Sequence, residues 1–191
     1  MEVYVEPLMP REPFVIFGAG HVAQALVPFL TALDFDVTVV DGRDELNHEG
    51  RFPGVQRVLD DGRTFAAELA PDDDAYWLIV THDHALDQDI LEALLPKGCA
   101  WLGMIGSRAK VARFFVRLLA AGMDQALFQK LSAPVGLDVG AETPTEIAVA
   151  IAAEVVKVRR LSHGEPVPLS QHVLDARGGD GRAVPPRLRK G

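Results

Sequence analysis

Residues 14–23, Phe14-Val15-Ile16-Phe17-Gly18-Ala19-Gly20-His21-Val22-Ala23, decide the fold. Four apolar residues run into Gly-x-Gly-x-x-Ala, and an apolar-periodic segment follows. That order predicts a buried strand, a tight turn and a helix start. The first glycine permits the sharp turn, and the second lets a ligand's phosphates approach bare backbone. The small Ala23 lets the helix pack closely on the strand. Phosphate would sit on the N–H groups of the helix N-terminus, where the dipole favours negative charge. Glycine-rich turns are common, so the context carries the reading. Asp36-Val37-Thr38-Val39-Val40-Asp41 is a second apolar run. It ends in an acid about 20 residues beyond the turn, the place of the ribose-binding carboxylate in a dinucleotide fold.

The rest of the chain alternates in the same way. Helices are expected over 21–33, 62–69, 84–95, 107–121 and 143–161, with a short one over 124–131. Further strands are expected at 55–58, 75–80 and 100–105, with an edge piece at 133–135. Pro28 should bend the first helix or loosen a turn. That helix should bury Val22, Leu26, Phe29, Leu30 and Leu33. Pro71-Asp72-Asp73-Asp74 reads as a turn, and Gly122 as a helix C-cap. Thr143-Pro144-Thr145-Glu146 has the form of an N-cap, a first-turn proline and a capping-box glutamate.

Strands alternating with helices imply an α/β domain. Its form would be a Rossmann-like doubly wound parallel sheet in a single domain, residues 13–161, with strand order 3-2-1-4-5. Residues 1–12 read as a lead-in or linker, and 162–191, rich in Gly, Pro and Arg, as a disordered tail.

The 191 residues carry a net charge of −8, which argues against a nucleic-acid or anionic-membrane binder. No apolar run approaches the roughly 20 residues that span a bilayer. The acidic start lacks the features of a signal peptide, and the single Cys99 excludes an internal disulfide. A cytoplasmic protein is expected, with Cys99 as small buried filler at a strand start.

In a parallel sheet of this order, ligands bind at the strand C-termini where strands one and four part. Gly18, Gly20, His21, Asp41, Arg43, Thr81, His82, Asp83, His84, Gly106, Ser107, Arg108 and Lys110 should therefore meet at one crevice. His21, His82 and His84 with Asp83 could hold a zinc-like ion. The alternative is that Asp83 caps a helix while the histidines bond to backbone or ligand. Ser107 can cap the next helix. Arg108 and Lys110 oppose that helix's dipole, for which a bound phosphate would be the reason and plain solvent exposure the alternative. Asp41 favours an NAD-like ligand over an NADP-like one, a preference that Arg43 blurs. No serine elbow accompanies the histidines, which speaks against a hydrolase.

Taken together, several stretches resemble the Rossmann domain of the xanthine dehydrogenase accessory factor family (XdhC/CoxI type), its C-terminal part. They are residues 17–26, Val39-Val40-Asp41-Gly42-Arg43, Arg51-Phe52-Pro53, residues 80–87, residues 103–110 and residues 134–144. The resemblance implies a cofactor chaperone rather than a catalyst. Its cargo would be the molybdenum cofactor (molybdopterin), to be sulfurated and delivered to a xanthine dehydrogenase-type molybdenum hydroxylase. It also implies a homodimer and contact with a cysteine desulfurase. The glycine-turn amides with Arg108 and Lys110 would hold the pterin's phosphate, and the histidines would face the metal end. Family members carry a further N-terminal domain, so a short form, a partial chain or half of a split system is expected. An NAD-dependent oxidoreductase and a nucleotide-sensing module are the competing readings.

Overall fold

The computed structural model describes residues 11–160. The expectations for residues 1–10 and 162–191 lie outside that range. The chain folds in the order β1 (Pro13–Phe17), α1 (His21–Ala32), β2 (Asp36–Val40), β3 (Gln56–Val58), α2 (Arg63–Glu68), β4 (Asp72–Ile79), α3 (His84–Leu94), β5 (Cys99–Met104), α4 (Arg108–Ala120), β6 (Leu131–Ser132) and α5 (Pro144–Arg160). The six strands form one parallel sheet in the order β3-β2-β1-β4-β5-β6. This is the Rossmann-like α/β fold, with β6 added beside β5.

Central strands of a parallel sheet are covered on both faces, so their apolar runs are continuous rather than alternating. Phe14, Ile16, Tyr76, Leu78 and Trp101 pack on one side with α1 and α5. Val15, Phe17, Trp77, Ile79 and Leu102 pack on the other with α2, α3 and α4. Within the first layer, Arg159 of α5 lies 4.6 Å over the Phe35 ring and donates to Leu33 O at 2.8 Å. That ties the last helix to the end of the first.

Several local expectations are corrected. Asp72-Asp73-Asp74 is the start of β4 and not a turn. The three exposed acids hide a strand whose sheet-pairing partner, β5, is far along the chain. The edge strand is Leu131–Ser132, two residues before the expected piece, and Val135 N donates to Met104 O just beyond it. Residues 125–130 form a 3-10 helix. Helix α1 continues through Pro28, which is exposed. Its buried face is Ala23, Leu26, Val27 and Leu30, and Phe29 points outward instead. Cys99 opens β5 and is half-buried, packed against the second core layer rather than fully inside it. The α5 cap is formed as read: Glu146 Oε2 accepts from Thr143 N at 2.9 Å, and Glu146 N donates to Thr143 Oγ1. Gly122 follows α4 in the left-handed region.

The turn after β1 is held on both sides. Gly18 N donates to Val40 O at 2.8 Å, and Val80 N donates to Phe17 O at 2.9 Å. Gly18 has φ +114°, and a Cβ there would lie 2.6 Å from the Val80 carbonyl oxygen. Both facts demand glycine. Gly18→Ala should therefore cost about 2–4 kcal/mol of stability, read as a lower urea midpoint with unchanged slope.

Candidate functional site

All strands are parallel, so their C-termini share one edge of the sheet. A cleft of about 160 Å³ opens there, lined by Phe17, Gly18, Val40, Asp41, Gly42, Arg43, Asp61, Gly62, Thr81, His82, Leu86 and Ile90. The fold thus brings the glycine turn, the end of β2 and the loop after β4 together. Gly106, Ser107 and Arg108 lie at the end of β5, and Arg108 lines a separate cleft of about 310 Å³ with residues 134–141.

Helix α1 begins at Gly20 with no side-chain cap. The first N–H groups of any helix lack partners inside it, and the N-cap glycine has no side chain to supply one. Gly20 itself has φ −73°, and a Cβ there would meet nothing within 4 Å. The protein's own backbone and packing therefore do not require glycine at this position. The space above it is open, as close approach of a ligand needs. By contrast, α3 is capped by Asp83, which accepts from Ala85 N at 2.7 Å. Helix α4 is capped by Ser107, which accepts from Lys110 N at 3.2 Å. The Ala85 amide holds the Asp83 carboxyl below its ordinary value.

Asp41 is buried and fully engaged. Its Oδ2 accepts from Ala19 N at 2.7 Å and from Arg43 Nη2 at 2.6 Å. Its Oδ1 accepts from Arg43 N at 3.0 Å and Arg43 Nε at 2.9 Å. Burial alone would raise this carboxyl. The hydrogen bonds from Arg43 and Ala19 outweigh it and hold the group below its ordinary value. Asn47 braces the same corner: its Nδ2 reaches Val39 O, Asp41 O and Val58 O at 3.2, 3.2 and 2.9 Å. Arg51 comes from the β2–β3 loop and donates from Nη2 to Ala19 O at 3.2 Å. Its Nε is buried without a partner. A guanidinium therefore rests against the glycine turn, with its Nε closed off from solvent.

On the other side, Lys110 does not face the crevice as a free cation. It is buried, pairs with Asp87 Oδ2, and donates to Ile105 O at 3.3 Å. Asp87 is fully buried, and its Oδ1 accepts from Thr81 Oγ1 at 2.6 Å and from Thr81 N at 3.2 Å. Burial selects this pair, because a charge taken from water must find its opposite. Thr81 is thus tied down by Asp87, and the Asp87–Lys110 pair joins the loop after β4 to the start of α4. Arg108 is almost fully exposed and touches Asp138 only loosely, at 3.7 Å. His21, His82 and His84 are exposed, and no group of three or more metal-ligating side chains among the described residues could hold a metal ion.

Three residues at the site were not among the predicted site residues: Asn47, Arg51 and Asp87, although Arg51 and Asp87 fall in stretches that carry the family resemblance. Asp87 offered a signal, as an acid inside an apolar helix face four residues after the cap. Asn47 and Arg51 sit in an irregular loop where no periodicity points to them.

Residues 14–155 match the family described as the XdhC Rossmann domain. The chain belongs to this xanthine dehydrogenase-associated family. It is 36% identical over 168 residues to the Escherichia coli (strain K12) protein named "Uncharacterized protein YqeB", covering 86% of this chain and 30% of that one. It is 27% identical to a Bacillus subtilis (strain 168) protein named as a probable xanthine dehydrogenase subunit, covering 83% of this chain and 46% of the relative. The crystal structure of a xanthine dehydrogenase from Bacillus halodurans is similar with a TM-score of 0.70 at 31% identity, over 85% of this chain and 46% of that one. The chain thus spans less than half the length of these relatives. No helix among the described residues is long and apolar enough to cross a membrane.

Two measurements test the site's electrostatics. Lys110→Met leaves Asp87 buried and unpaired and should cost about 3–5 kcal/mol in urea unfolding. Adding Asp87→Asn removes the orphaned charge while keeping a group for Thr81, so the double variant should be more stable than the single one. For Asp41, the folded value lies below the unfolded one. Its contribution is therefore complete above about pH 4 and is lost as pH falls through the folded value. The melting temperature should drop on acidification below about pH 4, and Asp41→Asn should begin lower and lose less over that interval.

Proposed function

We propose that this chain is the Rossmann domain of an accessory protein that carries the molybdenum cofactor, supports its sulfuration and delivers it to a xanthine dehydrogenase-type molybdenum hydroxylase. The observation that carries the reading is the open, uncapped N-terminus of α1 at Gly20, next to the Ala19 carbonyl on which the Arg51 guanidinium is held. Such a terminus is suited to a phosphate, and the cargo is a phosphorylated pterin. The names of the Bacillus relatives connect the family to xanthine dehydrogenase.

The residues present favour carrying over catalysis. The Thr81 hydroxyl is committed to Asp87, and Ser107 caps α4, so neither stands ready as a nucleophile. His82 lines the crevice and the exposed His84 lies two residues on, and both would contact the far end of the cargo. The hydroxylase would receive the cofactor, a cysteine desulfurase would supply sulfur, and a homodimer is the expected assembly.

Anaerobic titration of the purified chain with molybdenum cofactor, with NAD and AMP in parallel, tests the reading. Saturable cofactor binding is expected. Gly20→Ala should weaken it by about tenfold or more while shifting stability by less than about 1 kcal/mol. His82→Ala with His84→Ala should weaken binding without lowering the melting temperature of the free protein. Absence of cofactor binding, or equal binding by the Gly20 variant, would overturn the proposal. NAD binding coupled to hydride transfer would replace it with the oxidoreductase reading.

A further inference from the structure

We infer that Arg43 shuts the nucleoside half of this crevice, so that the chain takes a phosphate monoester without a ribose diol and rejects dinucleotides. The inference builds on the phosphate cradle proposed above, but its decisive test needs no pterin.

In a dinucleotide-binding fold, the acid at the end of β2 accepts hydrogen bonds from a ribose hydroxyl. A carboxylate has about four acceptor positions. In Asp41 four donors already take them: Ala19 N, Arg43 N, Arg43 Nε and Arg43 Nη2, at 2.6 to 3.0 Å. Two of these are backbone amides belonging to the turn and to the loop itself. The other two form the bidentate fork that makes an arginine–carboxylate pair strong and directional. A ribose could bind only if Arg43 left, and that would expose a carboxylate whose side chain is 7% exposed to a weaker neutral partner.

Space argues the same way. The cleft beside Asp41 and Arg43 holds about 160 Å³ and is walled by Phe17, Leu86 and Ile90. Pockets that enclose a drug-sized ligand run to about 300 Å³ or more. A 2′-phosphate gains nothing from Arg43, whose charge Asp41 already neutralises, and Asp61 lines the same cleft. At Gly20, in contrast, nothing stands within 4 Å of an added Cβ. The phosphate end is open and the nucleoside end is filled by the protein's own side chain. The cofactor's monophosphate form fits this arrangement, and its nucleotide-extended form does not.

Calorimetric titration of the wild-type chain, Arg43→Ala and Arg43→Lys with NAD and AMP tests the inference. The wild type should give no saturable binding. Arg43→Ala should gain nucleotide binding by about tenfold or more, with its melting curve confirming the fold. Arg43→Lys keeps the charge, loses the fork and should gain less. The cofactor's monophosphate and nucleotide-extended forms, titrated in parallel, should favour the former. Tight NAD binding by the wild type, equal binding of the two cofactor forms, or a folded Arg43→Ala with no gain would each overturn the inference. Equal binding of both cofactor forms would leave the carrier reading standing. If neither form binds, the carrier reading falls, and the nucleotide comparison still decides the role of Arg43.

Discussion

The hydrogen bond from the Ala19 amide to the Asp41 carboxylate joins the glycine turn to the end of the neighbouring strand. A buried carboxylate must find donors, and this one finds them in the turn and in the loop that follows it. Arg43 folds back to complete the set, Asn47 holds the strand ends from below, and Arg51 closes on the Ala19 carbonyl. The position of the α1 N-terminus follows from this corner. So does the shape of the cleft beside it, because the acid that could have met a ligand is used to build the wall.

A second buried charge pair plays the corresponding part across the crevice. Asp87 and Lys110 lie on α3 and α4, and Thr81 hangs from the same carboxylate. The loops after β4 and β5 are therefore held together from beneath. Most of the charged residues near the crevice are scaffold. The groups left exposed are the backbone at the start of α1, His21, His82 and His84, with Arg108 at a separate cleft.

Much of the fold was legible because its causes are local. Apolar runs such as Trp77-Leu78-Ile79 must be buried on both sides. Gly18 has to tolerate positive φ, and Thr143 with Glu146 caps a helix within four residues of chain. The failures arose where the cause lay elsewhere in the fold. Asp72-Asp73-Asp74 looks like a turn by composition, yet it starts a strand whose partner lies at Cys99. Phe29 looked like core on helical spacing, but the direction in which α1 meets the sheet turns it outward.

The sequence by itself determined the strand-turn-helix unit, the parallel sheet and the edge at which the strand C-termini gather, since these follow from apolar pattern, glycine and connection length. Only the tertiary structure decided which charged groups at that edge are already paired. Lys110 looked like a phosphate anchor and is spent on Asp87, 23 residues earlier. Asp41 looked like a ribose acceptor and is spent on Ala19 and Arg43. The reason is that a charge's partner is set by distance and burial in the folded chain, and neither can be read from the order of the residues.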